Sequence, residues 1–136
     1  TMKKAFTALH VRLYRLLGGR LVGRIGKAPV LLLTTTGRKS GRRRTVPLLY
    51  LKDSVDLVVV ASNGGADRHP AWYLNLQANG AAEVQTGSER RAVVARTASP
   101  EEHARFWPAL VGLYAGYAKY AERTEREIPL VVLSAA

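Results

Sequence analysis

Two apolar, β-branched runs, Val30–Thr36 and Val46–Leu51, are joined by the short polar insert Gly37-Arg38-Lys39-Ser40-Gly41 and by Arg42-Arg43-Arg44. Glycines on both sides of a short connection supply the positive φ that tight turns need, so the stretch reads as a β-hairpin. Five cations fall within the seven residues from Arg38 to Arg44, with no acid beside them in the sequence. Cations packed this closely repel one another, and an acidic ligand is a physical reason to keep them together. A solvated hairpin tip and a nucleic-acid contact are the other readings of such a run. Nucleic acid would call for aromatic side chains interleaved with the charge, and none lies there.

The charge belongs to one part of the chain. Residues 1–50 carry twelve Lys and Arg and no acid, and residues 51–136 carry nine against ten acids, which together make the net charge of +11. That asymmetry points to anionic partners met by the N-terminal part and the hairpin. The 136 residues suffice for one core. No cysteine is present, so thiol chemistry and thiolate metal sites are excluded, and a reducing cytoplasm is expected. His10, His69 and His103 lack ligand spacing, so no metal is expected. No apolar run is long enough to span a bilayer, and Arg12 and Arg15 interrupt any signal-peptide core.

Along the chain, Ala5–Leu17 has helical periodicity, with Phe6, Leu9, Leu13, Leu16 and Leu17 on one stripe. With Arg20–Lys27 it forms a basic amphipathic arm, 1–28, which either docks on its own domain or lies, through residues 3–27, on an anionic membrane face. Residues 29–136 are the folded domain. Pro29–Thr36, Val46–Lys52 and Asp56–Ala61 read as strands, and Ser62-Asn63-Gly64-Gly65 breaks the third where backbone amides can approach a ligand. Pro70 suits a helix start, giving a short helix His69–Ala78. Ala82–Thr86 and Arg91–Thr97 form a hairpin, and Ser99-Pro100-Glu101-Glu102 is a capping box. Pro108 is expected to kink the helix that follows or to begin a new one. Tyr114, Tyr117 and Tyr120, spaced by three, share one drifting helical face, either as an aromatic core stripe or as part of a site. Leu130–Leu133 is a last strand. Short antiparallel strands with few helices predict an α+β fold, mainly β: a closed barrel with an N-terminal amphipathic helix and helical covers.

The blocks TTTGRKSG, R-T-V-P, VVVASNGG and HPAWYLNL, followed by the three tyrosines and IPLVVL, resemble the deazaflavin-dependent nitroreductase family. These are actinobacterial oxidoreductases on a split β-barrel of the flavin-reductase, FMN-binding type, using reduced coenzyme F420. The resemblance runs from about Leu31 to the C-terminus. It implies that Arg38, Lys39 and Ser40, helped by Arg44, hold the phosphate and oligoglutamate tail. Thr45, Val46, Pro47, Leu48 and Leu49 would line the deazaflavin, and Val60, Ala61, Ser62 and Asn63 would meet its polar edge. Ala71, Trp72, Tyr73, Leu74 and Asn75 would contact ribitol and phosphate, and Tyr117 would close over the ring.

The chemistry so implied is hydride transfer to an electron-poor acceptor, a menaquinone-like quinone or a nitro compound, in the cytoplasm or at the inner membrane face. Ser62, Tyr114, Tyr117 and Tyr120 are the candidate donors to the oxygen that becomes negative. An FMN-dependent oxidoreductase on the same barrel, and a non-catalytic F420 carrier or anionic-surface binding protein, are the competing readings. Asn63, Val46 and Leu49 stand where lysine, asparagine and an aromatic residue are expected, a departure that bears on the acceptor more than on the cofactor.

Overall fold

The computed structural model describes residues 24, 25 and 28–136. The expected helix Ala5–Leu17, and the arm apart from residues 24, 25 and 28, lie outside them. Eight strands form one antiparallel sheet among the described residues: β1 (Arg24–Ile25), β2 (Ala28–Thr36), β3 (Arg43–Leu49), β4 (Leu51–Asp53), β5 (Asp56–Val60), β6 (Ala81–Thr86), β7 (Glu89–Thr97) and β8 (Leu130–Ala135). Three α-helices accompany them, α1 (Ala71–Ala78), α2 (Pro100–Leu113) and α3 (Gly116–Glu122), with a 3-10 turn at Asn63–Gly65.

The strand order β2-β6-β7-β8-β5-β4 would leave two edges, and the chain itself joins them. Only Tyr50 separates β4 from β3, whose residues pair in register with β2 from Val30↔Leu49 to Thr36↔Arg43. The Tyr50 amide donates to the Pro29 carbonyl at 3.1 Å, and the sheet curls into a barrel. Alternation sends Leu31, Leu33, Leu57, Val59, Val84, Val93, Val131 and Leu133 inward, into one buried cluster. The opposite faces of β5 and β8 present Val58, Val60, Leu130 and Val132 outward, where α2 and α3 cover them with Phe106, Leu110 and Tyr117. Strands buried on both faces explain the unbroken run Val58-Val59-Val60.

Closure is incomplete along β3, and that makes the barrel split. Its hydrogen-bonded neighbour is β2 alone among the described residues, and each of its seven residues keeps some exposure, whereas Leu57–Val60 of the facing β5 are buried. Two sequence expectations are corrected. The second strand begins at Arg43 rather than Val46, because Thr35 and Thr36 of β2 offer it a continuous ladder. Helix α2 runs through Pro108 undivided, so the missing donor to the Ala104 carbonyl costs one hydrogen bond and no break.

Candidate active site

The basic turn is built by backbone chemistry. The Gly37 amide donates to the Arg42 carbonyl at 2.7 Å, the Gly41 amide to the Gly37 carbonyl at 2.8 Å, and Gly41 sits at φ 71°. A Cβ on Gly37 would lie 2.7 Å from Ser40 Oγ and 3.1 Å from the Arg42 carbonyl, so a larger residue there would displace the Ser40 side chain. Ser40 Oγ accepts from the Arg42 amide, which leaves its proton for an external acceptor. From the helix beneath, the buried Asn75 accepts from the Arg38 amide at 3.0 Å and donates to Thr35 Oγ1 at 3.1 Å. The turn is thereby fixed to both β2 and α1.

The five cations are not equivalent. Arg43 pairs with Glu83 of β6 at 3.2 Å, an acid that lies close in space but not in sequence. Arg38, Lys39, Arg42 and Arg44 are exposed and have no ion pair among the described residues. From this charge β3 runs away as a half-buried apolar wall. Val46 and Leu48 turn toward the barrel interior, while Thr45, Pro47 and Leu49 share the outer face. Thr45 bonds the Thr34 hydroxyl at 2.8 Å. Across the split stand Val60 and Ala61, both buried, then the buried Ser62 and exposed Asn63. Among the described residues the Ser62 hydroxyl has no protein partner.

The tyrosines converge by a route other than one helical face. Tyr114 is the C-cap of α2, with extended backbone, and α3 restarts at Gly116. Their rings nevertheless meet, with centroids 5.0 to 6.4 Å apart, and the Tyr114 and Tyr120 hydroxyls share a 2.9 Å hydrogen bond. Burial, reinforced by Tyr114 and Tyr120, pushes the Tyr117 phenol above its ordinary range. The hydrogen bond to Tyr114, then burial, raises Tyr120, with Arg123 opposing. All three rings lie in or against the cluster that contains Val58 and Val60. The 3-10 turn abuts α3, where a Cβ on Gly65 would meet the Tyr120 carbonyl at 2.9 Å.

Tyr73 and Trp72 are held by partners inside the protein. The Tyr73 hydroxyl bonds Thr97 of β7 at 3.0 Å and accepts from Gln77, and the Trp72 ring packs in the inner core. Arg126, absent from the residues that the sequence singles out, reaches the strand end from behind. Its guanidinium donates to the carbonyls of Ala61, Ser62 and Ala66 and to His69 Nδ1. Flanked by Glu125 and Glu127, it carries no local signal of that role. Behind it opens a cleft of about 400 Å³, lined among others by His69, Thr97, His103 and Pro129.

The sequence profile of the F420H(2)-dependent quinone reductase family matches residues 6–135. An F420H(2)-dependent quinone reductase of Mycobacterium tuberculosis is 42% identical over 130 residues, covering 93% of this chain and 87% of that protein. The solved structure of an F420-H2 dependent reductase (FDR-A) superposes with a TM-score of 0.72 at 39% identity, over 78% of this chain and 94% of its own. A solved structure described as a domain-swapped dimer gives a TM-score of 0.74 at 32% identity, over 98% and 100%.

Proposed function

Because the chain belongs to the F420H(2)-dependent quinone reductase family, we propose that it reduces a quinone, or a nitro compound, held between the β3 split and the three tyrosines. It is an oxidoreductase, and reduced F420 is its cofactor. The observation that carries the site assignment is the attachment of an unneutralised basic turn to the open end of a half-buried apolar strand. That donor set suits a ligand with one flat apolar end and one many-times-negative end. Arginine forks match phosphate and carboxylate in pairs, and β3 offers a sheltered wall to a ring system.

When bound, the reduced deazaflavin supplies the hydride. The protein's part is position and field. Arg38, Lys39 and Arg44 hold the anionic end, Ser40 donates its hydroxyl there, and Thr45–Leu49 with Val60 and Ala61 exclude water from the other end. Ser62 offers a hydroxyl, and Tyr117 and Tyr120 offer phenols that stay protonated at neutral pH because their surroundings disfavour the phenolate, with the Tyr114 hydroxyl bonded to that of Tyr120. These groups stabilise an oxygen that turns negative by hydrogen bonding rather than by surrendering a proton. Solvent completes the protonation. No helix among the described residues is long and apolar enough to cross a membrane, and a quinone acceptor instead favours contact of the basic arm with an anionic lipid surface.

The test is a titration of the purified protein with F420, FMN and single-stranded DNA, followed by menadione added to the reduced F420 complex. Preference for F420 and oxidation by menadione are expected. The double variant Arg38→Ala, Lys39→Ala should raise the F420 dissociation constant by about tenfold or more while kcat at saturation changes far less. Unchanged affinity would refute the placement of the tail, and tight binding without turnover on any quinone or nitro acceptor would make the chain a carrier.

A further inference from the structure

The segment after β5 adopts a conformation that is held from outside. Asn63, Gly64 and Gly65 lie in succession at φ 48°, 64° and 82°, all left-handed. Glycine enters that region freely, and asparagine enters it more readily than most other side chains. Within it the Gly65 amide donates to the Ser62 carbonyl at 2.9 Å, the Ala66 amide to the Asn63 carbonyl at 3.1 Å, and Asn63 Nδ2 to the Arg68 carbonyl. The carbonyls of Ala61, Ser62 and Ala66 face one guanidinium. Arg126 Nε reaches Ala66 at 2.8 Å, Nη2 reaches Ser62 at 2.8 Å and Ala61 at 3.3 Å, and Nη1 reaches Ala61 at 3.4 Å. Nη1 also donates to His69 Nδ1 at 3.1 Å, which must be the acceptor because arginine has no lone pair to offer.

No carboxylate pairs with Arg126 among the described residues, so the charge is balanced by carbonyl dipoles on the loop itself. A cation on a peptide carbonyl draws electron density through that peptide and strengthens its N–H as a donor. The Ala61 and Ser62 carbonyls belong to the peptides whose amides are those of Ser62 and Asn63, at the mouth of the β3 split. Neither amide has a hydrogen-bond partner among the described residues.

We infer that Arg126 is a positioning residue that locks the Ala61–Ala66 loop in its left-handed form and polarises the Ser62 and Asn63 amides toward the cofactor. This rests on the function proposed above for the same site. Arg126 works from the side of the loop that faces the cleft, through backbone alone.

Hydrogen exchange on the cofactor-free protein reads the lock directly. Arg126→Gln should speed exchange at the Gly65 and Ala66 amides, which are hydrogen-bonded within the turn, by about tenfold or more and leave β2, β5 and β8 at wild-type rates. F420 affinity should fall by about tenfold in the same variant, Arg126→Lys should lie between it and wild type, and added guanidinium should restore part of the binding in Arg126→Ala. Loop exchange and affinity that stay at wild-type values in Arg126→Gln would overturn the inference, as would exchange that rises evenly over the whole barrel. A wild-type chain that binds no F420 overturns the proposed function instead, since the exchange measurement still reports whether Arg126 holds the loop.

Discussion

Asn75 engages both ends of its amide inside the protein, its oxygen with the Arg38 amide and its nitrogen with Thr35. Asn75→Ala leaves a buried hydroxyl and a turn amide unmet, a loss of about 1–3 kcal/mol of stability, and it frees the turn to wander. Asn75→Asp keeps the acceptor for Arg38, and Thr35 can rotate its hydroxyl to donate to the carboxylate, so stability should survive. The new negative charge beneath the cations should still weaken F420 binding. Urea melts and a cofactor titration on both variants separate the two effects. If Asn75→Asp binds F420 like wild type, the turn has no electrostatic role. From sequence, Asn75 reads as a cofactor contact because it follows the helix start. Its partners, Thr35 and Arg38, are some forty residues earlier, beyond the reach of any local pattern. The same kind of distance hides Arg126, whose acceptors lie about sixty residues upstream.

Helix α2 is legible where its signals are local. Ser99 accepts from the Glu102 amide and Glu102 accepts from the Ser99 amide, the reciprocal cap that the spacing predicts. The structure adds Arg96, which grips both Glu102 oxygens at 2.6 and 2.8 Å and, with the Ser99 amide, holds that carboxyl down to about 2. A carboxyl depressed in the folded state binds fewer protons than in the unfolded chain. Its stabilisation is therefore complete above the ordinary value of 4.5 and drains away as pH falls from there toward about 2. Glu102→Gln keeps the cap and loses the pairing, so its urea midpoint should decline less steeply across that acid window than the wild type's. Equal slopes would remove the carboxylate from the helix's acid sensitivity. Element boundaries that depend on a distant partner are less legible. Nothing near Arg43 and Arg44 marks them as strand, since the ladder that claims them belongs to β2. Pro108 looks like a breaker in sequence, but Phe106 and Leu110, both buried against the outer face of β5 and β8, hold the helix together across it.

At the scale of the whole molecule electrostatics dominates, because five of the twelve cations of residues 1–50 gather at one end of one strand. Four cations of the turn lack ion pairs among the described residues, while Glu83 neutralises the fifth. Charges exposed in this way act over roughly a Debye length, about 10 Å at 0.1 M salt and about 3 Å at 1 M. A coenzyme with a polyanionic tail should therefore lose affinity steeply as salt rises over that range. FMN, which ends in a single phosphate and sits against the same apolar wall, should lose less. Glu83→Gln releases Arg43 to join the other four, and it should raise F420 affinity at low salt and steepen the salt dependence with little effect on FMN. Parallel salt titrations of wild type and this variant with both coenzymes give four slopes. The steepest belongs to the variant with F420 if the turn meets the tail. If the two coenzymes share one slope, the barrel recognises only what they have in common, and the concentrated charge of residues 38–44 must answer to some other partner.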